Sequence, residues 1–494
     1  MANNALRPWL LGSALSAALG VFPACSSSEA SNDPAGTAGS PQAGGSGAGT
    51  SSSGGTAGGS TGLIAGNSGG GAPAGDAGTS TNGGDAGAMN AGGTAGTTTL
   101  PNGGAGGAPL VMGNLTFTRQ TLHTFNYAEG IGIADFNNDG SADVVSGPFW
   151  WAGPTFEVQH QYFPPPPDNE YTGMSLGDWA DYPYDVDGDG WADSITVMRP
   201  STPSYWYKNP GPTGIDAEIS AWEKHEIGTL VLEQSMFTDI SGEGTPDLVC
   251  AVDGQFGWFD VSPTWTFNPI GVSGATNAYA WWHGIGVGDL DGDLAPDLLT
   301  DSAWFTRPEG DPRAGAWTSH EQPFDGGNIV IAEHGPSHMY GYDVDDDGDE
   351  DVITALNSHG YGVAWFENDA GVFTEHVIVG DANSMATNAG MIAPFSQPHA
   401  LVVADIDGDG VKDLITGKTF YAHPPGVGDP DAEGAPVFYV FKLIRDETGV
   451  TWEPHLVDSE VGLGRQFTTG DLNNDGKVDI AIASKHGVFL FFQE

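Results

Sequence analysis

The chain has 494 residues and sets 64 acidic side chains against 14 lysines and arginines, a formal net charge of −50. Nucleic-acid recognition starts from a basic surface, so this balance excludes it. Only Cys25 and Cys250 are present, which excludes a disulfide framework and leaves Cys250 as a small buried hydrophobe.

Residues 1–25 read as an export signal. Arg7 is the only early charge, an apolar run extends from Trp9 to Val21, and Ala24-Cys25 closes the segment. That ending resembles a bacterial lipoprotein signal, which implies a lipid anchor at Cys25 and an outer-membrane, cell-surface, periplasmic or secreted location. Residues 26–113 are Gly, Ala, Ser and Thr with few large apolar side chains. Such a stretch cannot offset its ordering entropy, so a disordered tether spanning on the order of 50 Å is expected.

From residue 114 to 494 the chain writes one acidic nine-residue loop seven times. The loops start at Asp135, Asp185, Asp239, Asp289, Asp343, Asp405 and Asp471, at spacings of 50, 54, 50, 54, 62 and 66 residues, and hold 28 of the 64 acids. Oxygen side chains at positions 1, 3, 5 and 9, with glycine at 6, suit a hard cation that takes six to eight oxygens. The predicted calcium ligands are Asp135, Asn137, Asp139 and Asp143 in loop one, and Asp185, Asp187, Asp189 and Asp193 in loop two. They continue with Asp289, Asp291, Asp293 and Asp297 in loop four, and Asp343, Asp345, Asp347 and Asp351 in loop five. Loop six offers Asp405, Asp407, Asp409 and Asp413, and loop seven Asp471, Asn473, Asp475 and Asp479. Loop three, with Ser241 and Glu243 at positions 3 and 5, and loop four, with Leu294 in place of glycine, are expected to be weaker.

Short aliphatic runs precede and follow each loop. An aromatic run comes next, and then a run carrying Trp or Phe three residues before a histidine, as in Trp222–His225 and Trp317–His320. Each unit therefore offers four strands, A to D, with the acidic loop joining A to B. Repeated four-stranded sheets around a channel make an all-β propeller, here of seven blades. The last unit stops after its C strand, and residues 115–122 match the D pattern without a unit of their own. They are predicted to complete the last blade and close the ring, which hides an open sheet edge.

These loops, with their aliphatic flanks, resemble the FG-GAP/VCBS repeats of integrin α-subunit propellers and of many exported bacterial proteins. The resemblance implies structural calcium at the loops and a monomeric, extracellular binding module for carbohydrate or protein.

Antiparallel order puts all acidic loops on one face and the B–C and D–A connections on the other, the expected functional face. Five histidines (His160, His225, His320, His376 and His455) fall in D strands, where packing explains them. The other eight (His123, His283, His334, His338, His359, His399, His423 and His486) fall on the functional face or at the starts of inner strands. His283, His338 and His399 lie at the channel mouth with Glu129, Arg465, Arg199, Lys418 and Lys485. Polar groups gathered there without an evident internal pairing pattern predict a polyhydroxylated or anionic ligand such as an acidic saccharide. The blocks around His283, His338 and His399 are similar to the propeller half of aldos-2-ulose dehydratases. That resemblance implies an alternative function, a metal-assisted sugar dehydratase or lyase with an additional divalent metal. His283, His338 and His399 would then be metal ligands or acid–base groups, and Arg199, Lys418 or Lys485 would stabilise an enolate. The cupin domains of that family have no counterpart in this sequence, nor is there a Ser/His/Asp or H-E-x-x-H motif.

Overall fold

The computed structural model describes residues 115–165, 178–271, 278, 281–325, 335–380, 392–423, 425–426 and 428–494. The predicted export signal, Cys25, the tether and His334 lie outside the described residues, as does most of the longest connections on the predicted functional face.

Strand β1 (Phe117–His123) comes first. One unit holds β2 (Gly132–Ala134), β3 (Asp143–Ser146), β4 (Phe149–Ala152) and β5 (Val158–Gln161), and the next β6 (Asp178–Tyr184), β7 (Asp193–Met198), β8 (Pro203–Lys208) and β9 (Glu223–Thr229). Then come β10 (Met236–Thr238), β11 (Asp247–Val252), β12 (Gln255–Asp260) and β13 (Thr266–Pro269), and β14 (Ile285–Gly288), β15 (Asp297–Thr300), β16 (Ala303–Thr306) and β17 (Thr318–Glu321). They are followed by β18 (His338–Tyr342), β19 (Asp351–Ala355), β20 (Val363–Asp369) and β21 (Val372–Val379). The chain ends with β22 (Leu401–Ala404), β23 (Asp413–Gly417), β24 (Phe438–Asp446) and β25 (Gly449–Asp458), then β26 (Phe467–Gly470), β27 (Asp479–Ser484) and β28 (Gly487–Gln493). The only helical element among the described residues is a single 3-10 turn at Gly211–Thr213.

These strands form five four-stranded sheets and one eight-stranded sheet. The larger sheet departs from the predicted set of separate blades. Inside it β14 and β18, the inner strands of two successive units, pair in parallel through Ile285↔His338, Gly286↔Met339 and Val287↔Tyr340. Gly286 permits this approach, because a Cβ there would lie 2.1 Å from the Met339 carbonyl oxygen. Dividing the sheet at that parallel pair leaves two antiparallel quartets with the same A-to-D order as the rest.

The arrangement is propeller-like and closes on itself. Inner strands meet in turn as β2 with β6, β10 with β14, β14 with β18, β18 with β22 and β22 with β26, and β26 returns to β2. Between β6 and β10, Tyr182 stacks on Phe237 at 5.1 Å and donates to the Ser235 carbonyl at 2.8 Å. The N-terminal strand β1 pairs with β28 from Phe117↔Gln493 to His123↔Val488, which is the pairing predicted for residues 115–122. Cys250 is fully buried in the core of the third unit, without a disulfide.

Four of the five outer-strand histidines stack on the tryptophan directly opposite in their C strand. The pairs are His160 on Trp150 at 4.1 Å, His225 on Trp206 at 4.4 Å, His320 on Trp304 at 4.0 Å and His376 on Trp365 at 4.4 Å. Each is a cross-strand partner pair, the arrangement in which neighbouring side chains stabilise a sheet. These histidines are blade packing.

Candidate functional site

Six of the seven acidic loops fold alike; in loop three the position-9 carboxylate of Asp247 accepts the Ser241 N–H at 2.9 Å in place of the Ile240 N–H. In loop one, the position-1 carboxylate of Asp135 accepts the N–H groups of Asp139 and Gly140 at 3.0 and 2.8 Å. The position-9 carboxylate of Asp143, fully buried, accepts the N–H of Phe136 on one oxygen and that of Gly153 on the other, both at 2.8 Å. The equivalent Asp193, Asp297, Asp351, Asp413 and Asp479 repeat this double bond to loop and C strand. The loop is thus pre-shaped by its own backbone, with the carboxylates of positions 1, 3 and 9 (Asp185, Asp187 and Asp193; Asp289, Asp291 and Asp297) or of 1, 3 and 5 (Asp343, Asp345 and Asp347) brought within 4.8 Å of one another. Such a set of hard oxygens fits a calcium-class ion.

Every loop has a positive φ at position 4 as well as at position 6. Position 4 is occupied by Asn138, Gly188, Gly242, Gly292, Asp346, Gly408 and Asn474, the residue types that tolerate this region. The sequence reading used only position 6. Leu294 therefore does not open loop four; it adopts φ +70° and stands 81% exposed. A left-handed leucine costs about 1–2 kcal/mol, and glycine recovers most of it less its own chain entropy. Leu294→Gly is expected to raise stability by about 1 kcal/mol, measured by urea unfolding, and an unchanged or lower midpoint would contradict the strain.

The opposite ends of the inner strands hold a buried polar ring. The residue six places before each acidic loop is Glu129, Trp179, Glu233, His283, Ser337, His399 or Arg465, and all seven are buried. Lys485 donates to both oxygens of Glu129 at 2.9 and 3.0 Å, and the Arg465 Nε lies 3.4 Å from Glu129. Arg465 also donates to Glu233 through Nη1, and its guanidinium sits 4.5 Å from the Trp179 ring centroid. His283 Nε2 is 3.1 Å from the Glu233 carboxylate and His399 Nε2 is 3.9 Å from it, and neither contact has hydrogen-bond geometry. Both ring nitrogens of His283 and of His399 therefore lack a hydrogen bond although the rings are 1% and 0% exposed. Buried polar atoms in that state call for a water, an ion or a ligand.

His359, from the connection after β19, completes the group. One ligand atom from each of Glu233, His283, His359 and His399 lies within 4.8 Å of the others. The His359 Nδ1 is 3.2 Å from Asp429, which His423 also meets at 3.1 Å, and the two imidazoles stack at 4.7 Å. Burial and the nearby Arg465 guanidinium hold His399 well below the usual imidazole range. Burial likewise brings His359 down to about 4, against the pull of Asp429. Burial pushes the Glu233 carboxyl up, but Arg465 and His283 outweigh it and hold it at about 2. Three imidazoles and one carboxylate form the donor set that a zinc-class ion prefers.

The FG-GAP-like repeat family profile matches residues 343–416. This segment is similar to an FG-GAP-like repeat. No curated protein matches the sequence. Among solved structures the chain is similar to an Agrocybe aegerita lectin described as recognising non-reducing terminal N-acetylglucosamine. The identity is 17% and the TM-score 0.40, over 70% of this chain and 82% of that one. It is also similar to BBS1N in complex with ARL6DN (12% identity, TM-score 0.42, 76% and 96% covered). A third similar structure is the rhamnogalacturonan lyase of Bacillus licheniformis (12%, 0.36, 78% and 74%).

The FG-GAP-like repeat opens on the Asp343 loop and runs through the loop at Asp405, so His359 and His399 lie inside it. Of the predicted channel residues, the structure brings together Glu129, His283, His399, Arg465 and Lys485. His338 stands five rather than six places before its loop, so Ser337 takes the ring position, and His338 lies buried near His283 but outside the four-residue group. Lys418 is buried beside the Asp429 connection, donates to Ser396 Oγ at 3.2 Å, and is held by burial at about 8. No ion pair joins Arg199 to the group among the described residues. The expectation of unpaired charge is corrected, since two buried carboxylates neutralise Arg465 and Lys485 and leave imidazole as the unsatisfied chemistry. Sequence reasoning missed Glu233, whose signal was its place six residues before Asp239.

Proposed function

We propose that the chain is an exported, seven-bladed propeller with structural calcium in its acidic loops and a zinc-class centre at the channel mouth that takes a polyhydroxylated sugar. The observation that carries this reading is the convergence of His283, His359, His399 and Glu233, with the ring nitrogens of His283 and His399 buried and without a hydrogen bond. A bound zinc-class ion would supply Lewis acidity toward hydroxyl and carbonyl oxygens, which lyase and dehydratase chemistry on sugars can use. The chain's own residues prepare for it. Asp429 accepts the Nδ1 proton of His359 and so directs its Nε2 toward the group, a carboxylate–histidine relay that sets tautomer and orientation. Arg465 keeps the Glu233 carboxylate ionised, and burial keeps the imidazoles of His359 and His399 neutral with their lone pairs available.

Metal analysis of the purified chain tests the reading. The expected result is one transition-metal ion per chain, absent from His283→Ala with His399→Ala, while the effect of calcium on thermal unfolding is the same in both proteins. A reducing-sugar turnover screen and a glycan array on parent and double variant then separate catalysis from capture. Parent protein without transition metal after zinc loading, or equal metal in the double variant, would remove the centre.

A further inference from the structure

We propose that three of the seven acidic loops carry their own cation, so that bound calcium is confined to loops one, four, five and seven. This rests on the calcium part of the function proposed above. In loop two, Lys208 Nζ donates to the position-3 carboxylate of Asp187 and to the position-5 carboxylate of Asp189 at 2.7 Å. In loop six, Lys442 Nζ meets Asp407 and, at 2.9 Å, Asp409 in the same two positions.

The two lysines are equivalent by construction of the blade. Each ends one residue before the C-strand N–H that binds the position-9 aspartate, Asn209 to Asp193 and Leu443 to Asp413. That register places the side chain over position 3. The same place holds Ala152, Thr306, Glu367 and Phe492 in loops one, four, five and seven, none of them a cation. Loop three reaches the same end by another route. Arg313 forks across both oxygens of Glu243 at 2.9 Å and also donates to Asp260 at 2.6 Å.

An ammonium held between the position-3 and position-5 carboxylates occupies the oxygens that a divalent ion needs. Entry of calcium would place two positive charges beside a third, or force the lysine out. Lys442 is only 6% exposed and has little solvent to retreat into. The design also suits a chain with few cations, because Lys208, Arg313 and Lys442 are 3 of only 14. Loop five is the opposite case. Its C-strand place holds Glu367, which pairs with His376 at 2.6 Å, and Arg445 reaches only the Asp343 and Val344 carbonyls and the position-4 Asp346, so among the described residues no cation spans its position-3 and position-5 carboxylates.

The test is calcium stoichiometry of the full chain by equilibrium dialysis, on the parent, Lys208→Met and Lys442→Met. Calcium in the four named loops is expected for the parent, and one additional ion in each variant. Terbium gives a local readout, because Trp191 occupies position 7 of loop two. Lys208→Met should gain terbium luminescence excited through tryptophan, and adding Trp191→Leu should remove the gain. A parent that binds no calcium would defeat the calcium reading itself. A parent that fills loops two and six, or lysine variants that bind no more than the parent, would overturn this inference and leave that reading in place. The two lysine sites are in separate blades, so failure of one variant to fold leaves the other to decide.

Discussion

A chain lacking residues 115–123 should unfold on the order of 5 kcal/mol more easily than its parent and should self-associate. The strand β1 contributes the outer edge of the last sheet, paired with β28 along its length. Leu115, Phe117 and Leu122 pack on the largest core cluster, and Arg119 ties the strand to Asp458 and Glu460 at 2.8 Å each. Without β1 the N–H and C=O groups of β28 face water along a strand rich in phenylalanine, a template for pairing with another copy. Urea unfolding and analytical ultracentrifugation measure the two effects. A truncated protein that melts with its parent and stays monodisperse would show that the closing strand is dispensable.

Arg465→Met should cost about 3–5 kcal/mol, because it strands buried carboxylates rather than because it removes favourable contacts. Arg465 is 2% exposed, and Glu129 and Glu233 on either side are 0% and 8% exposed. Lys485 would still serve Glu129, but Glu233 would lose its only ion-paired guanidinium. Arg465→Lys should recover only part of the loss, since a point charge cannot reach both carboxylates while lying over Trp179. Chemical denaturation of the three proteins decides the point. If the methionine variant unfolds with the parent, the buried pairs contribute nothing net.

The loops made the fold legible, because a nine-residue pattern of hard oxygens and turn residues survives as local sequence. Each loop pins an A strand to a B strand, and the aromatic and histidine runs then order the rest. The pairing of residues 115–122 with the last strand was legible for the same reason, by what one unit lacked and another had spare. The parallel contact of β14 with β18 was not, since it depends on how closely two glycine-lined strands approach in space. The channel group was half legible. Reading histidines alone selected His283 and His399 but also His338, which stands one place off the ring position. Reading one position in all seven units would have named Glu233 and Trp179. His359 and Asp429 come from long connections whose reach no periodicity records. The charge balance of Arg465 and Lys485 was likewise invisible, because their partners are more than 200 residues away.

The adjacency of the two ends of the domain has a mechanical consequence. Phe117 lies opposite Gln493, and the Glu494 N–H donates to the Thr116 carbonyl at 2.9 Å. Tension applied to the chain ahead of residue 115 is therefore not shared among the blades. It falls first on the single ladder between β1 and β28, so the strand that seals the ring is also the one that bears the load.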